Sequence, residues 1–253
     1  MTMKLENLTN ESQAVSRRRY EDACGTALGL DLIGERWALL VIRELMFGPK
    51  RFGALRADLP GISANVLTQR LEGLEAHGIL RRSRLPPPAT GQVYELTEWG
   101  YEAEPIIQTL GRWAVRSPEH EPNQWISVVS ILMSFRTMID PERARGLDAT
   151  IGFRFGAESF LGRLRDGAIG YRRQPFEDAE ADVVFAGTQE ALAGAVYGGV
   201  PFADLAAAGA LEVRGDLTLA RRFTTLFVLP EKIALPAEPV PPLSRPASSA
   251  PAR

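Results

Sequence analysis

Between positions 60 and 82 the chain reads PGISANVLTQRLEGLEAHGILRR, and its leucines set the period. Leu67, Leu71 and Leu74 recur at steps of four and three, so they form one buried stripe of an α-helix. Asn65 and Gln69 fall roughly opposite that stripe, with Thr68 and Glu72 at the edges of this outward face. Ser63 has the side chain of an N-cap, and Ile62 and Leu67 can staple across it. Gly78 supplies the left-handed stop, beyond which Ile79 can fold back on Leu74. The spacing predicts a helix from about Ala64 to His77 with an outward face of amides and a hydroxyl. These types read base edges in a major groove, and they also suit a merely solvated face.

The pattern upstream is also helical. Tyr20, Ala23, Cys24, Ala27 and Leu28 predict a first helix, and a second, apolar nearly all round, runs from about Glu35 to Phe47 and stops at Gly48-Pro49. A short third helix turns Phe52, Leu55 and Leu59 inward. Downstream, Ile79 to Arg84 and Gln92 to Thr97 alternate as a hairpin with a proline-rich tip at Pro86 to Pro88. Trp99, Ala103, Ile106, Leu110 and Trp113 then form a heptad-like stripe on a helix from Glu98 to about Val115, which needs a partner surface, in its own domain or in a second copy.

Residues 125–229 have a different texture. WISVVSILMSFRTMI is a helix interrupted at Pro141; ATIGFRFG, ESFLGRLRDGAIGYRR and ADVVFAG read as strands with a tight Asp166-Gly167 turn; TQEALAGAVYGG and PFADLAAAG return to helix; ALEVRGD is a last strand and LTLARRFTTLF a last helix. The expectation is an α+β chain. It would have a flexible start (1–12), an N-terminal domain (13–116), a linker (117–124), a second α/β domain (125–229) and a Pro/Ala-rich disordered tail (230–253).

Length agrees, since 253 residues suffice for two modest cores. No run approaches the roughly 18 apolar residues of a membrane span, and the first residues lack an apolar signal core, so a soluble, cytoplasmic protein without a membrane partner is expected. One cysteine excludes an internal disulfide and multi-cysteine zinc, and two histidines offer little metal chemistry. No metal and no cofactor are expected. The net charge of −2 hides an asymmetry, because Glu35 to Gln92 holds nine Lys and Arg against five acids. A locally basic segment suits a polyanion.

The combination Ile33-Gly34-x-Arg36-Trp37, Arg43-Glu44-Leu45, Arg51-Phe52, Pro60-Gly61-Ile62-Ser63, Leu67-x-x-Arg70-Leu71 and Tyr94-x-Leu96-Thr97-x-x-Gly100 resembles the HxlR-type winged helix-turn-helix regulators of bacteria over about residues 20 to 115. The resemblance implies a homodimeric transcription factor on a double-stranded DNA operator. Ala64 to His77 would be the recognition helix, with Ser63, Asn65, Thr68 and Gln69 facing bases, and the hairpin would be the wing. Lys50, Arg51, Arg70, Arg81, Arg82 and Arg84 would meet phosphates, although Arg51 could be structural and the strand arginines could simply keep the hairpin soluble. For Arg36 and Arg43 an ion pair with a nearby acid is expected. Trp99, Ala103, Ile106, Leu110 and Trp113 would dimerise.

Residues 126–229 resemble the sterol-carrier-protein type 2 fold in ADVVFAGTQEALAGAVYGG and GALEVRGDLTLARRF. That likeness implies an apolar ligand tunnel for a small hydrophobic effector. Phe153, Phe155, Phe160, Leu164 and Tyr171 are lining candidates, or they fill the cavity as core. Cys24 matches the position of a thiol sensor in some relatives, and on an apolar helix face it could equally be a small buried hydrophobe. No phosphate loop, nucleophile elbow or metal-spaced ligand set occurs, so the protein is not expected to be an enzyme.

Overall fold

The computed structural model describes residues 20–85 and 90–234. Its N-terminal half holds α1 (Gly25–Ile33), α2 (Ala38–Leu45), α3 (Phe52–Ala57), α4 (Ala64–Ala76), the hairpin β1 (Leu80–Arg84) and β2 (Gln92–Leu96), then α5 (Glu98–Tyr101) and α6 (Glu104–Ala114). The α4 signals work as read. Ser63 Oγ accepts from Val66 N at 3.2 Å. Gly78 has φ +71, and Gly78 N and Ile79 N donate to the carbonyls of Glu75 and Leu74 at 2.9 and 3.0 Å, a Schellman stop. Leu67, Leu71 and Leu74 are buried with Val41, Ile42 and Leu45 of α2 and Leu55 of α3.

Four expectations need correction. The first helix starts at Gly25, and Tyr20 and Cys24 lie outside it, both exposed. The second helix starts at Ala38, because Trp37 takes φ +79, a strained conformation for a bulky residue, with Arg36 over its ring at 5.3 Å. Arg36 thus stacks on Trp37, whereas Arg43 makes the expected ion pair, with Glu44 at 2.8 Å. The long helix is broken into α5 and α6, since Pro105 has no amide for the carbonyl of Tyr101. The expected wing tip, Pro86 to Pro88, lies outside the described residues, as do residues 1–19 and 235–253.

The second half begins with α7 (Val128–Met138), followed by β3 (Ala149–Phe155), β4 (Glu158–Arg165), β5 (Ala168–Arg173), β6 (Val183–Gly187), α8 (Gln189–Tyr197), α9 (Phe202–Ala207), β7 (Leu211–Gly215) and α10 (Leu217–Thr224). Its sheet has the order β5-β4-β3-β6-β7, antiparallel except for the β3–β6 pair. Asp166 and Gly167, at φ +52 and +77, make the tight turn between β4 and β5. One sheet face carries the buried Phe153, Phe160, Leu164 and Phe185; Phe153 and Phe185 meet Phe223 of α10, which in turn meets Phe135 of α7. The other carries Arg154, Arg163 and Arg214, paired with Asp178, Asp148 and Glu212.

One apolar core runs through both halves. Phe47 meets Phe160 and Tyr171 with centroids 6.3 and 5.2 Å apart, and Arg136 of α7 lies over the Phe47 ring while pairing with Glu104 of α6 at 2.7 Å. The expectation of disorder from Pro230 fails locally. Ile233 N donates to the Arg116 carbonyl at 2.8 Å and Lys232 Nζ to that of Ser117 at 2.8 Å, which fastens residues 231–233 to the end of α6. No described helix is long and apolar enough to cross a membrane, and no group of three potential metal ligands occurs among the described residues.

Candidate nucleic-acid interface

The α3–α4 pair meets at Pro60-Gly61, and Gly61 takes φ +90, so the chain reverses in a few residues and presents α4 outward. Asn65, Thr68 and Gln69 are all exposed, as is Glu72. Ser63 is exposed too, but its oxygen accepts the capping bond, which leaves its hydroxyl proton and one lone pair for a ligand. Beside this face the β1–β2 hairpin is held in register with Arg82 opposite Tyr94 and Arg84 opposite Gln92, and Leu85 N closes on Gly91 O at 3.1 Å.

The basic residues divide by their partners. Arg84 is exposed at the strand end and makes no ion pair among the described residues. Arg82 lies over Tyr94 and pairs with Glu75 of α4 at 3.0 Å, and Arg81 pairs with Glu95 at 2.8 Å. Such surface pairs are weak enough to exchange for phosphate. Arg51 stays exposed, yet its Nη2 donates to Thr90 O at 2.9 Å and its guanidinium covers Gly91, so it also ties the start of α3 to the wing.

Two expected phosphate contacts are withdrawn. Lys50 is 4 % exposed and its ammonium sits between Glu44 and Asp58 at 3.0 and 2.5 Å, where no phosphate can reach it. Arg70 is largely covered and pairs with Glu35 at 3.0 Å, and its Nε is buried without a hydrogen-bond partner, so it holds the turn before α2 against α4. Sequence reading missed Arg56, which is exposed in the last turn of α3, next to the buried Leu55.

On α5 and α6, Trp99, Ile106, Leu110 and Trp113 remain exposed, Trp113 by 70 %, as do Leu28 and Leu30 on α1. Ala103 does not belong with them, because it is buried within its own chain. Cys24 is exposed at the N-cap position of α1. The amide and hydroxyl of Thr26 and the amide of Ala27 at that helix start lower its thiol pKa, although the thiol makes no capping hydrogen bond. The reading of Cys24 as a buried hydrophobe is therefore wrong.

In the second half Phe153, Phe155, Phe160 and Leu164 are at most 5 % exposed and belong to the core, Phe153 meeting Phe155, Phe185 and Phe223, so they fill the space expected of a tunnel. Tyr171 is also buried, and burial raises its pKa well above the usual phenol value; its hydroxyl has no hydrogen-bond partner. It borders a cleft of about 450 Å³ with Leu161, Arg163 and Arg172. A second cleft, of about 530 Å³, lies between α9, β7 and α10, lined by Val200, Phe202, Val213 and Leu217 with Arg221 and Thr224. Arg221 makes no ion pair among the described residues.

Residues 32–122 match the HxlR-like helix-turn-helix profile, and residues 124–233 match an alkyl sulfatase C-terminal profile. The chain is 34 % identical over 85 residues to YvaP, an uncharacterized HTH-type transcriptional regulator of Bacillus subtilis, covering 34 % of this chain and 79 % of that protein. It is 40 % identical over 83 residues to the HTH-type transcriptional regulator YodB of the same organism, covering 33 % of this chain and 74 % of YodB. The quinone-bound structure of YodB superposes with a TM-score of 0.32 at 34 % identity, over 36 % of this chain and 96 % of that one. The stereoselective inverting sec-alkylsulfatase Pisa1 from Pseudomonas sp. superposes with a TM-score of 0.35 at 20 % identity, over 40 % of this chain and only 16 % of the alkylsulfatase. With a winged helix-turn-helix built from these motifs and regulators matched over most of their own length, the chain belongs to the HxlR-like helix-turn-helix family.

Proposed function

We propose that the protein regulates transcription as a homodimer on an operator of double-stranded DNA in the cytoplasm, with α4 in the major groove and the hairpin along the backbone. The observation that carries this reading is the exposed Asn65, Thr68 and Gln69 face flanked by the exposed Arg84 and Arg56. Two α4 helices of a dimer would enter successive grooves, so half-site centres are expected about 10 to 11 base pairs apart or a multiple. Selection of bound genomic fragments tests this. Asn65→Ala or Gln69→Ala is expected to relax preference at one base pair, at a cost of about 1–3 kcal/mol. Arg84→Ala should instead weaken all sequences alike and flatten the salt dependence by roughly one unit of slope. A retained pool without a palindrome, or an Asn65→Ala protein with unchanged base preference, would sink the assignment of α4.

The head would extend to residue 116, residues 117–124 would join it to the second half, and that half would act as a carrier-like module for a small hydrophobic effector. The 530 Å³ cleft, apolar but for Arg221 and Thr224, fits an aliphatic or aryl chain ending in an anion. A second reading, a thiol switch, is favoured by the exposure and lowered pKa of Cys24. One titration separates the two. Operator affinity is measured for the native protein and for Cys24→Ser, with a thiol oxidant and, separately, with a medium-chain fatty acid. A cleft effector predicts a fatty-acid response that survives Cys24→Ser and disappears in Arg221→Glu. A thiol switch predicts an oxidant response that Cys24→Ser abolishes, with alkylation of Cys24 reaching half its maximal rate at a pH below that of an ordinary thiol. No response to either leaves a DNA-binding dimer with a structural second half.

A further inference from the structure

Lys50 sits where α2, the end of α3, the hairpin and the C-terminal sheet meet. Its main chain bridges Tyr94 of β2, Lys50 N to Tyr94 O at 3.0 Å and Tyr94 N to Lys50 O at 2.9 Å, a one-residue bridge on the free edge of the hairpin. Its ammonium reaches Glu44 at 3.0 Å and Asp58 at 2.5 Å, and Glu158 of β4 lies 3.9 Å away. Glu44, fully buried, also accepts from Arg43 at 2.8 Å and from Ser127, the N-cap of α7, at 2.6 Å. The side of this cluster facing the C-terminal half is closed by Arg173 of β5.

Arg173 is unusual in what it gives up. Its guanidinium lies over the Phe160 ring at 5.2 Å, and burial lowers its pKa against the opposing pull of Glu158, Glu44 and Asp58. Nε is 3.3 Å from Glu158 Oε1 but misaligned, so Nε and Nη2 make no hydrogen bond, while Nη1 donates long bonds to Gly48 O and Pro49 O at 3.4 and 3.3 Å. Those carbonyls belong to the turn that delivers Lys50. With Arg43, Lys50 and Arg173 balancing Glu44, Asp58 and Glu158, removing any one leaves a charge uncompensated in a poorly hydrated place.

We propose that Arg173 and Glu158, on the sheet of the second half, are positioning residues for the wing, holding the Gly48–Lys50 turn and through the Lys50–Tyr94 bridge fixing the strand that carries the hairpin. Arg82 stacks on Tyr94, and Arg82 and Arg84 pair across from Tyr94 and Gln92, so a shift of β5 or β4 would move the cations meant for phosphate. The operator readout rests on the DNA-binding reading above, but the hydrogen-exchange readout does not.

The test uses the full chain with Arg173→Met, Glu158→Gln and Arg173→Lys, following amide exchange residue by residue. In Arg173→Met and Glu158→Gln, the amides of Lys50 and Tyr94 should exchange at least about tenfold faster, as expected when a hydrogen bond or pair to a charged group is lost. The amides of Leu71 in α4 and Phe153 in β3 should stay at their native rates. Arg173→Lys, which keeps the charge, should restore part of the protection. Operator binding by the two loosened variants should show a shallower salt dependence with unchanged base preference. Native protection of Lys50 and Tyr94 in both variants, or a uniform acceleration of all four amides, would overturn the proposal. Native protein that binds no DNA would instead remove the regulator reading, with the exchange result still deciding this one.

Discussion

Ile106→Asp combined with Leu110→Asp is expected to convert the proposed dimer to monomers and to lower operator affinity by about 10²- to 10⁴-fold, the usual worth of linking two binding events. Both side chains stand out from α6, 50 % and 45 % exposed, with Trp113 and Trp99 on the same pair of helices. None touches the core enough to be needed by the monomer, so the substitutions should leave folding intact while placing carboxylates in an apolar contact. Sedimentation velocity and operator titration on the same sample decide it. An unchanged dimer would move the interface away from α6, to α1 or the second half. A monomer with native operator affinity would show that one head suffices.

Lys50→Met is expected to destabilise the protein by about 3–5 kcal/mol, because it leaves Glu44 Oε2 and one Asp58 oxygen without their shared cation in a buried place. The midpoint of urea unfolding should fall with little change of slope. Adding Glu44→Gln should recover part of the loss, since the buried charge goes with its partner. A loss under about 1 kcal/mol, the range of exposed ion pairs, would mean that the cluster is hydrated in solution. The same residue looks like a phosphate contact in sequence, directly beside Arg51, which is why this outcome bears on how basic residues near a helix-turn-helix are read.

Much of the head was legible because its signals are local. A serine cap, a left-handed glycine and leucines at steps of four and three act within one or two turns, and α4 begins and ends where they say. The break at Pro105 was as local, yet the stripe from Trp99 to Trp113 outweighed it when read as one helix; the missing amide wins because no packing can replace it. The late starts of α1 and α2 were less visible. The positive φ of Trp37 carries no local signal, and its ring lies beside Gly61 across the fold.

By itself the sequence determined the order of elements, the polar outer face of α4, the alternation of the strands and the basic balance around the hairpin, because each follows from backbone geometry and from residues near in the chain. Tertiary structure decided which charges are available. Lys50 and Arg51 are neighbours with similar charge, but the bridge to Tyr94 turns one toward carboxylates of α2, of the residue capping α3 and of β4, while the other lies at the surface. It also decided that the phenylalanines of β3 and β4 are core and that the open cleft lies by α9 and α10, since only the meeting of sheet and helices fixes what space is left between them.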